Sequence, residues 1–210
     1  MITLHHLNDS RSFRVHWLLL EAKIPHQVIY YQRDAVTQLA PESLKKVHPL
    51  GKSPVIELDG QIISESGAII ELLIERFAPG LRPPAGSPQY AEYYEWIHFA
   101  ESSAMVPVLL RLFNSFETAA GTELRWTENY ANNEFNKVFS YVNQQLSGRR
   151  YITGEQLTGA DFMIGWVLLL LHKRGMIDGL YPAIDTYLQT LSALPSLQQA
   201  LALDAGPVGG

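Results

Sequence analysis

The sequence predicts an α/β domain followed by an all-α helical bundle. Three observations predict it. Short strand-like and helix-like segments alternate through about the first 80 residues. Residues 79–88 then hold four prolines and two glycines, a composition that continues neither a helix nor a central strand. Beyond that break the apolar residues recur almost throughout at helical spacing.

The elements follow in order. Ile2 to His6 is a short strand, and Ser12 to Lys23 is a helix with Phe13, Trp17, Leu20 and Ile24 on one face, ended by Pro25. His26 to Gln32 is β-rich, and Pro41 to Val47 is a short helical piece. Val55 to Leu58 and Gln61 to Ser64 flank Asp59-Gly60, a dipeptide suited to a two-residue hairpin turn. Ile69, Ile70, Leu73 and Phe77 then mark a helix. A β-α-β unit followed by β-β-α is the thioredoxin-like order, a mixed four-stranded sheet. The predicted division is residues 1–79 as this domain, 80–88 as linker and 89–210 as the helical domain. In the latter, Gln89 to Phe116 is a long helix bent at Pro107. Glu123 to Leu146 is a second. Thr158-Gly159-Ala160-Asp161 has the spacing of a capping box and opens the most apolar helix. Helices near 184–191 and 196–201 follow, and the tail from Asp204 to Gly210 is expected to fray.

Composition narrows the function classes. The chain has 210 residues, 47% hydrophobic and 18% charged, enough for a sizeable core. A formal net charge of −5 gives no electrostatic reason to expect nucleic acid. There is no cysteine, so the protein supplies no thiolate of its own and forms no disulfide. The seven histidines show no metal-ligand spacing, and no metal is expected. The longest apolar run, Phe162 to Leu171, falls short of the roughly 20 residues that span a bilayer. No secretory leader is evident at Met1, so a cytoplasmic protein without a membrane partner is expected.

The densest chemical signal is Lys52-Ser53-Pro54-Val55, the hairpin, and then Glu65-Ser66-Gly67 at a helix start. A helix N-terminus offers unpaired N–H groups and a positive dipole end to a carboxylate, and Glu65 beside it can hold an ammonium group. The pair suits an α-amino acid end. This arrangement resembles the glutathione-binding half of the cytosolic glutathione transferases. The resemblance implies a cis proline at Pro54, a Ser53 backbone that pairs with the cysteinyl part of glutathione, and Glu65 and Ser66 on its γ-glutamyl end. It places Lys52 at the glycyl carboxylate.

Glutathione brings its own thiol, and the protein must stabilise the thiolate, which is the nucleophile. A donor at the turn between the first strand and first helix can do so. That turn, Leu7 to Arg14, lacks the tyrosine of the mammalian-type classes and the cysteine of the beta and omega classes. It resembles the serine-containing turns of theta, delta and zeta enzymes. Counting back from Arg14 puts Ser10 at the serine position, with Asn8 as a rival and Ser12 as the third choice. Asp9, Ser10 and Ser12 could also simply cap the helix, and Arg14 reads as a structural ion pair or domain-interface contact. The second substrate is expected in an apolar pocket between domains. By spacing from Trp96, His98 and Ser102 match the family's electrophile-site helix, with Met105 as a permissive apolar wall.

The resemblance thus implies a homodimeric glutathione transferase with a detoxifying role, acting on small apolar electrophiles or peroxides. The alternatives are a non-catalytic binder of glutathione or hydrophobic ligands, or a disulfide reductase using two glutathiones.

Overall fold

In the computed structural model, residues 1–206 are described. They fall into two units, residues 1–82 with 191–206, and residues 83–190.

The first unit holds a four-stranded sheet of order β2-β1-β3-β4. Strand β1 (Ile2–Leu7) pairs in parallel with β2 (His26–Tyr31) and antiparallel with β3 (Val55–Leu58), which pairs antiparallel with β4 (Gln61–Ser64). Asp59 (φ 53°) and Gly60 (φ 77°) both take positive φ, as a two-residue type I′ turn requires, and this sets the register Leu58 to Gln61. Helix α1 (Ser12–Glu21) crosses between β1 and β2. Pro25 does not end it. Lys23 (φ 53°) takes the left-handed conformation, Ile24 N–H reaches Leu19 O at 2.9 Å, and Lys23 N–H reaches Leu20 O at 3.2 Å. That is the 6→1 and 5→2 bonding of a Schellman stop.

Every residue of α1 from Ser12 to Leu19 is buried, not only the predicted face. The reason lies at the far end of the chain. Helix α8 (Pro195–Leu203) packs on α1, Trp17 Nε1 donates to Ser196 Oγ at 3.1 Å, and Ser196 Oγ donates to the Glu21 carboxylate. Asp204 to Gly206 stay anchored: His6 Nε2 donates to Asp204 O at 3.1 Å, and Gln32 Nε2 to Ala205 O at 2.7 Å. The expected fraying therefore does not hold for them, and residues 207–210 lie outside the described residues. Helix α2 (Ser66–Phe77) buries Ile69, Ile70, Leu73 and Ile74, while Phe77 turns outward.

The second unit is helical: α3 (Gln89–Phe99), α4 (Met105–Ala119), α5 (Arg125–Leu146), α6 (Gly159–Lys173) and α7 (Pro182–Ser192), the last straddling the unit boundary. Instead of a bend at Pro107, residues 100–104 form one wide π-helical turn joining α3 to α4. Pro107 lacks an N–H and its ring crowds the carbonyl four residues back. Placed in the first turn of α4, just after the widened turn, it needs no intrahelical donor. The capping box opens α6 as predicted, with Thr158 and Asp161 bonding each other's backbone. Among the described residues, no helix is long and apolar enough to cross a membrane.

Candidate functional site

Three segments of the first unit carry the predicted site. The first is the turn between β1 and α1. Asn8 Oδ1 accepts Arg33 N–H at 3.0 Å, and the Arg33 guanidinium donates to the carbonyls of Asn8 at 3.2 Å, Asp9 at 3.1 Å and Gln38 at 2.9 Å. The turn is thus clamped from the end of β2. Since the Asn8 oxygen takes the Arg33 N–H, its Nδ2 is the end left to donate. Asp9 (φ 49°) is left-handed and opens the turn onto α1. Ser10 and Ser12 are both buried. Ser10 Oγ accepts Ser12 N–H at 3.2 Å and lies 2.8 Å from Ser12 Oγ. Ser12 Oγ also accepts Leu7 N–H at 3.1 Å and lies 3.0 Å from His6 Nδ1 and 3.1 Å from Leu7 O.

The second segment precedes β3. The Ser53–Pro54 bond is cis, as the resemblance implies. Ser53 Oγ donates to His5 O at 2.8 Å, tying this loop to β1, and Pro54 is buried. Lys52 is exposed beside it, after Gly51 (φ 58°).

The third segment is the start of α2. Glu65 is exposed and adopts φ 70°, ψ 113°, a conformation costing a non-glycine residue about 1–3 kcal/mol. No side chain caps the helix there, so its first N–H groups stay open to a ligand. Ser66 is 3% exposed, and its Oγ accepts a bond from Arg14 Nη1 at 3.0 Å. Arg14 is itself fully buried. Besides the ion pair or interface contact that the sequence suggests for it, Arg14 is the side chain that sets Ser66. A signal existed, since an arginine among the apolar positions of a buried helix must find a partner.

Burial and neighbouring imidazoles mark this unit electrostatically. His16 is pushed down to about 4, first by burial and then by His6 and His26, with Asp204 acting the other way. On the opposite side of β1, His5 Nε2 pairs with Glu57 at 2.9 Å and Nδ1 with the Tyr31 hydroxyl at 2.9 Å.

The second unit holds a cavity of about 380 Å³ between the π turn and α4 on one side and α5 on the other. Phe99, Ser102, Val106, Leu110 and Tyr141 line it with Glu134 and Lys137. Of the three predicted pocket residues, Ser102 lies on this wall, its hydroxyl donating to His98 O at 3.0 Å. His98 is exposed and outside the lining, and Met105 is 2% exposed, in the core.

Comparison with known proteins agrees across the chain. Residues 4–84 match the glutathione S-transferase N-terminal domain and residues 109–203 the C-terminal domain. The chain is 30% identical to glutathione S-transferase 3 of Schizosaccharomyces pombe, over 95% of this chain and 86% of that one. It is 27% identical to glutathione S-transferase 1 of Saccharomyces cerevisiae, over 92% and 91%. A crystal structure of a glutathione S-transferase from Actinobacillus pleuropneumoniae superposes with a TM-score of 0.83 at 32% identity, covering 99% of this chain and 94% of that one.

Proposed function

This chain belongs to the glutathione S-transferase family, and on that premise we propose that it activates the thiol of glutathione for attack on small apolar electrophiles or peroxides. The observation that carries the reading is the start of α2. An exposed carboxylate, Glu65, is held at φ 70° immediately before a buried hydroxyl, Ser66, that a buried arginine sets at 3.0 Å. Strain of this kind persists where surroundings enforce it, and it is characteristic of ligand clamps. Glu65 takes the ammonium of the γ-glutamyl end, while Ser66 and the open N–H groups of α2 take its carboxylate. The Ser53 backbone pairs with the cysteinyl unit, and Lys52 meets the glycyl carboxylate.

Ser10 is the thiol donor in this proposal. Asn8 is the competing donor through Nδ2. Ser12 has its hydroxyl surrounded by protein groups and supports Ser10 from behind. Ser102 and the cavity it lines offer the second substrate an apolar wall, with His98 one turn away on the solvent side and Met105 in the core behind. The division into a glutathione-binding domain at 1–79 and an electrophile-site domain at 89–210, a homodimeric state and a cytoplasmic location belong to the same proposal.

The experiment is calorimetric binding of glutathione to wild type and Glu65→Ala, alongside conjugation of an activated aryl halide. Binding that Glu65→Ala weakens, together with turnover of the halide, is expected. Binding without turnover identifies a storage or interaction protein instead, and absence of binding refutes the site.

A further inference from the structure

We propose that His6 is the internal acceptor of the glutathione thiol proton, reached through Ser10 and Ser12 in a buried hydrogen-bonded chain that Asp204 terminates. The inference rests on the proposed glutathione site and adds to it the destination of the proton.

Donor counting sets the direction of this chain. His6 is fully buried, and its Nε2 faces only acceptors, Asp204 O at 3.1 Å and Asp204 Oδ1 at 3.3 Å. Nε2 therefore carries a hydrogen, and in a neutral ring Nδ1 must accept. The donor within reach of Nδ1 is Ser12 Oγ, at 3.0 Å. A hydroxyl has one hydrogen and two lone pairs. The Ser12 hydrogen has two acceptors in reach, His6 Nδ1 and, at 3.1 Å, Leu7 O; given to His6, and with one lone pair taken by Leu7 N–H, it requires Ser10 to donate to Ser12 across the 2.8 Å contact. Ser10 already accepts Ser12 N–H, which leaves it a single lone pair to show a ligand. In this state Ser10 can accept from a thiol and cannot donate to a thiolate.

One concerted shift reverses the chain. The S–H bond breaks and its proton passes to Ser10 Oγ. The original Ser10 proton passes to Ser12 Oγ, and the original Ser12 proton to His6 Nδ1. The electron pair of the S–H bond stays on sulfur, and no other reactant is needed. Ser10 now donates to the thiolate, and an imidazolium lies between Ser12 and Asp204.

Reference pKa values of about 8.5 for a thiol and about 6.5 for an imidazole make such a transfer uphill by a factor of ~100. The surroundings oppose that cost at both ends. His6 Nε2 meets a carboxylate and the carbonyl just past the C-terminus of α8, where a helix favours a cation. The sulfur would lie at the N-terminal end of α1, which favours an anion. The other groups around His6 are His16 from α1, with ring centroids 5.4 Å apart, and Tyr30 from β2 at 5.6 Å. His26 stands behind His16 at 5.7 Å, and Asp9 N–H holds Asp204 Oδ2 at 3.2 Å. Burial keeps His16 neutral until about pH 4, so it does not compete for the Asp204 charge at neutral pH. His6 touches no substrate in this scheme; it acts through two serines.

The test adds glutathione to the full chain, labelled with nitrogen-15 at histidine, in weakly buffered neutral solution. Thiolate absorbance, proton release and histidine nitrogen shifts are read together. The thiolate is expected to appear without a matching proton in the medium, while one histidine moves from the Nε2–H tautomer to imidazolium. That signal should be absent in His6→Asn. Ser12→Ala, which cuts the chain but leaves Glu65 and Ser66, should still bind glutathione. Its thiolate at neutral pH should fall at least ~10-fold, the equivalent of one pKa unit, and its formation at alkaline pH should release a full proton. Wild type alone decides the matter should a variant fail to fold. A full proton released for each wild-type thiolate, with unchanged histidine shifts, overturns the relay and leaves the glutathione site standing. Absence of glutathione binding, or binding with no thiolate, overturns the underlying reading and the relay with it.

Discussion

Asp161→Ala tests whether the capping box of α6 holds the helical unit together. The Asp161 carboxylate is wholly buried and accepts four hydrogen bonds: Ile152 N–H at 2.9 Å and Tyr187 O–H at 2.9 Å on Oδ1, Thr158 N–H at 2.8 Å and Thr158 O–H at 3.1 Å on Oδ2. Alanine leaves three of these donors, Ile152 N–H, Tyr187 O–H and Thr158 N–H, in the interior without an acceptor, while the Thr158 hydroxyl keeps Thr153 Oγ1 at 3.3 Å. At about 1 kcal/mol for each orphaned donor, the lower end for buried groups, the loss is about 3 kcal/mol. Asp161→Asn keeps the oxygen for Ile152 and Tyr187 but turns an N–H donor toward Thr158, so about half that loss is expected. The assay is guanidinium unfolding followed by far-ultraviolet circular dichroism, with slopes compared between variants. Burial, working against these bonds, lifts the Asp161 carboxyl from 3.8 to about 6. Because the folded pKa is the higher one, the stability tied to this group is complete below 3.8 and is lost as the pH rises through about 6. Asp161→Ala should lack that slope. A variant within about 1 kcal/mol of wild type would refute the reasoning, since no network of four satisfied donors could then be operating.

Further outcomes follow from the first unit. Glu65→Ala and Ser66→Ala should raise KM for glutathione more than they lower kcat, because they hold an end of the ligand remote from the sulfur; steady-state kinetics showing turnover loss at unchanged KM would move them to the reacting centre. Arg14→Lys, which keeps the charge but not the planar fork, should raise KM in the same way by misplacing Ser66, whose Oγ it now holds at 3.0 Å. His16, lowered from 6.5 to about 4, contributes stability that is full above 6.5 and is lost as pH falls toward 4. His16→Phe should flatten that acid limb in thermal melts from pH 7 to 4, and an unchanged limb would assign it to other groups.

Local chemistry made much of the fold legible. The hairpin was readable because Asp59-Gly60 supplies positive φ at two successive residues between alternating strands. The α6 start was readable because a capping box is a four-residue pattern. The complete burial of α1 was not, because its second cover, α8, comes from about 180 residues later in the chain, as the Trp17–Ser196 bond shows. The same distance hid the anchoring of Asp204 by His6. The π turn was missed because a proline in a helical stretch predicts a kink, whereas here it falls in the first turn of a new helix. At the candidate site, Lys52 to Pro54 and Glu65-Ser66 stood out as contiguous motifs. The bond from Arg14 to Ser66 and the clamp of Arg33 on the Asn8 turn did not, since each joins side chains or loops distant in sequence.

The pH titration of thiolate absorbance from bound glutathione, in wild type, Ser10→Ala and Asn8→Ala, tests the central claim most directly. Wild type should form the thiolate well below the value of about 8.5 for a free thiol. Ser10→Ala should move the midpoint up toward that value, while Asn8→Ala leaves it in place. Loss of the thiolate in Asn8→Ala with Ser10→Ala intact would give the role to the amide, and a wild-type complex without thiolate at neutral pH would contradict thiol activation altogether.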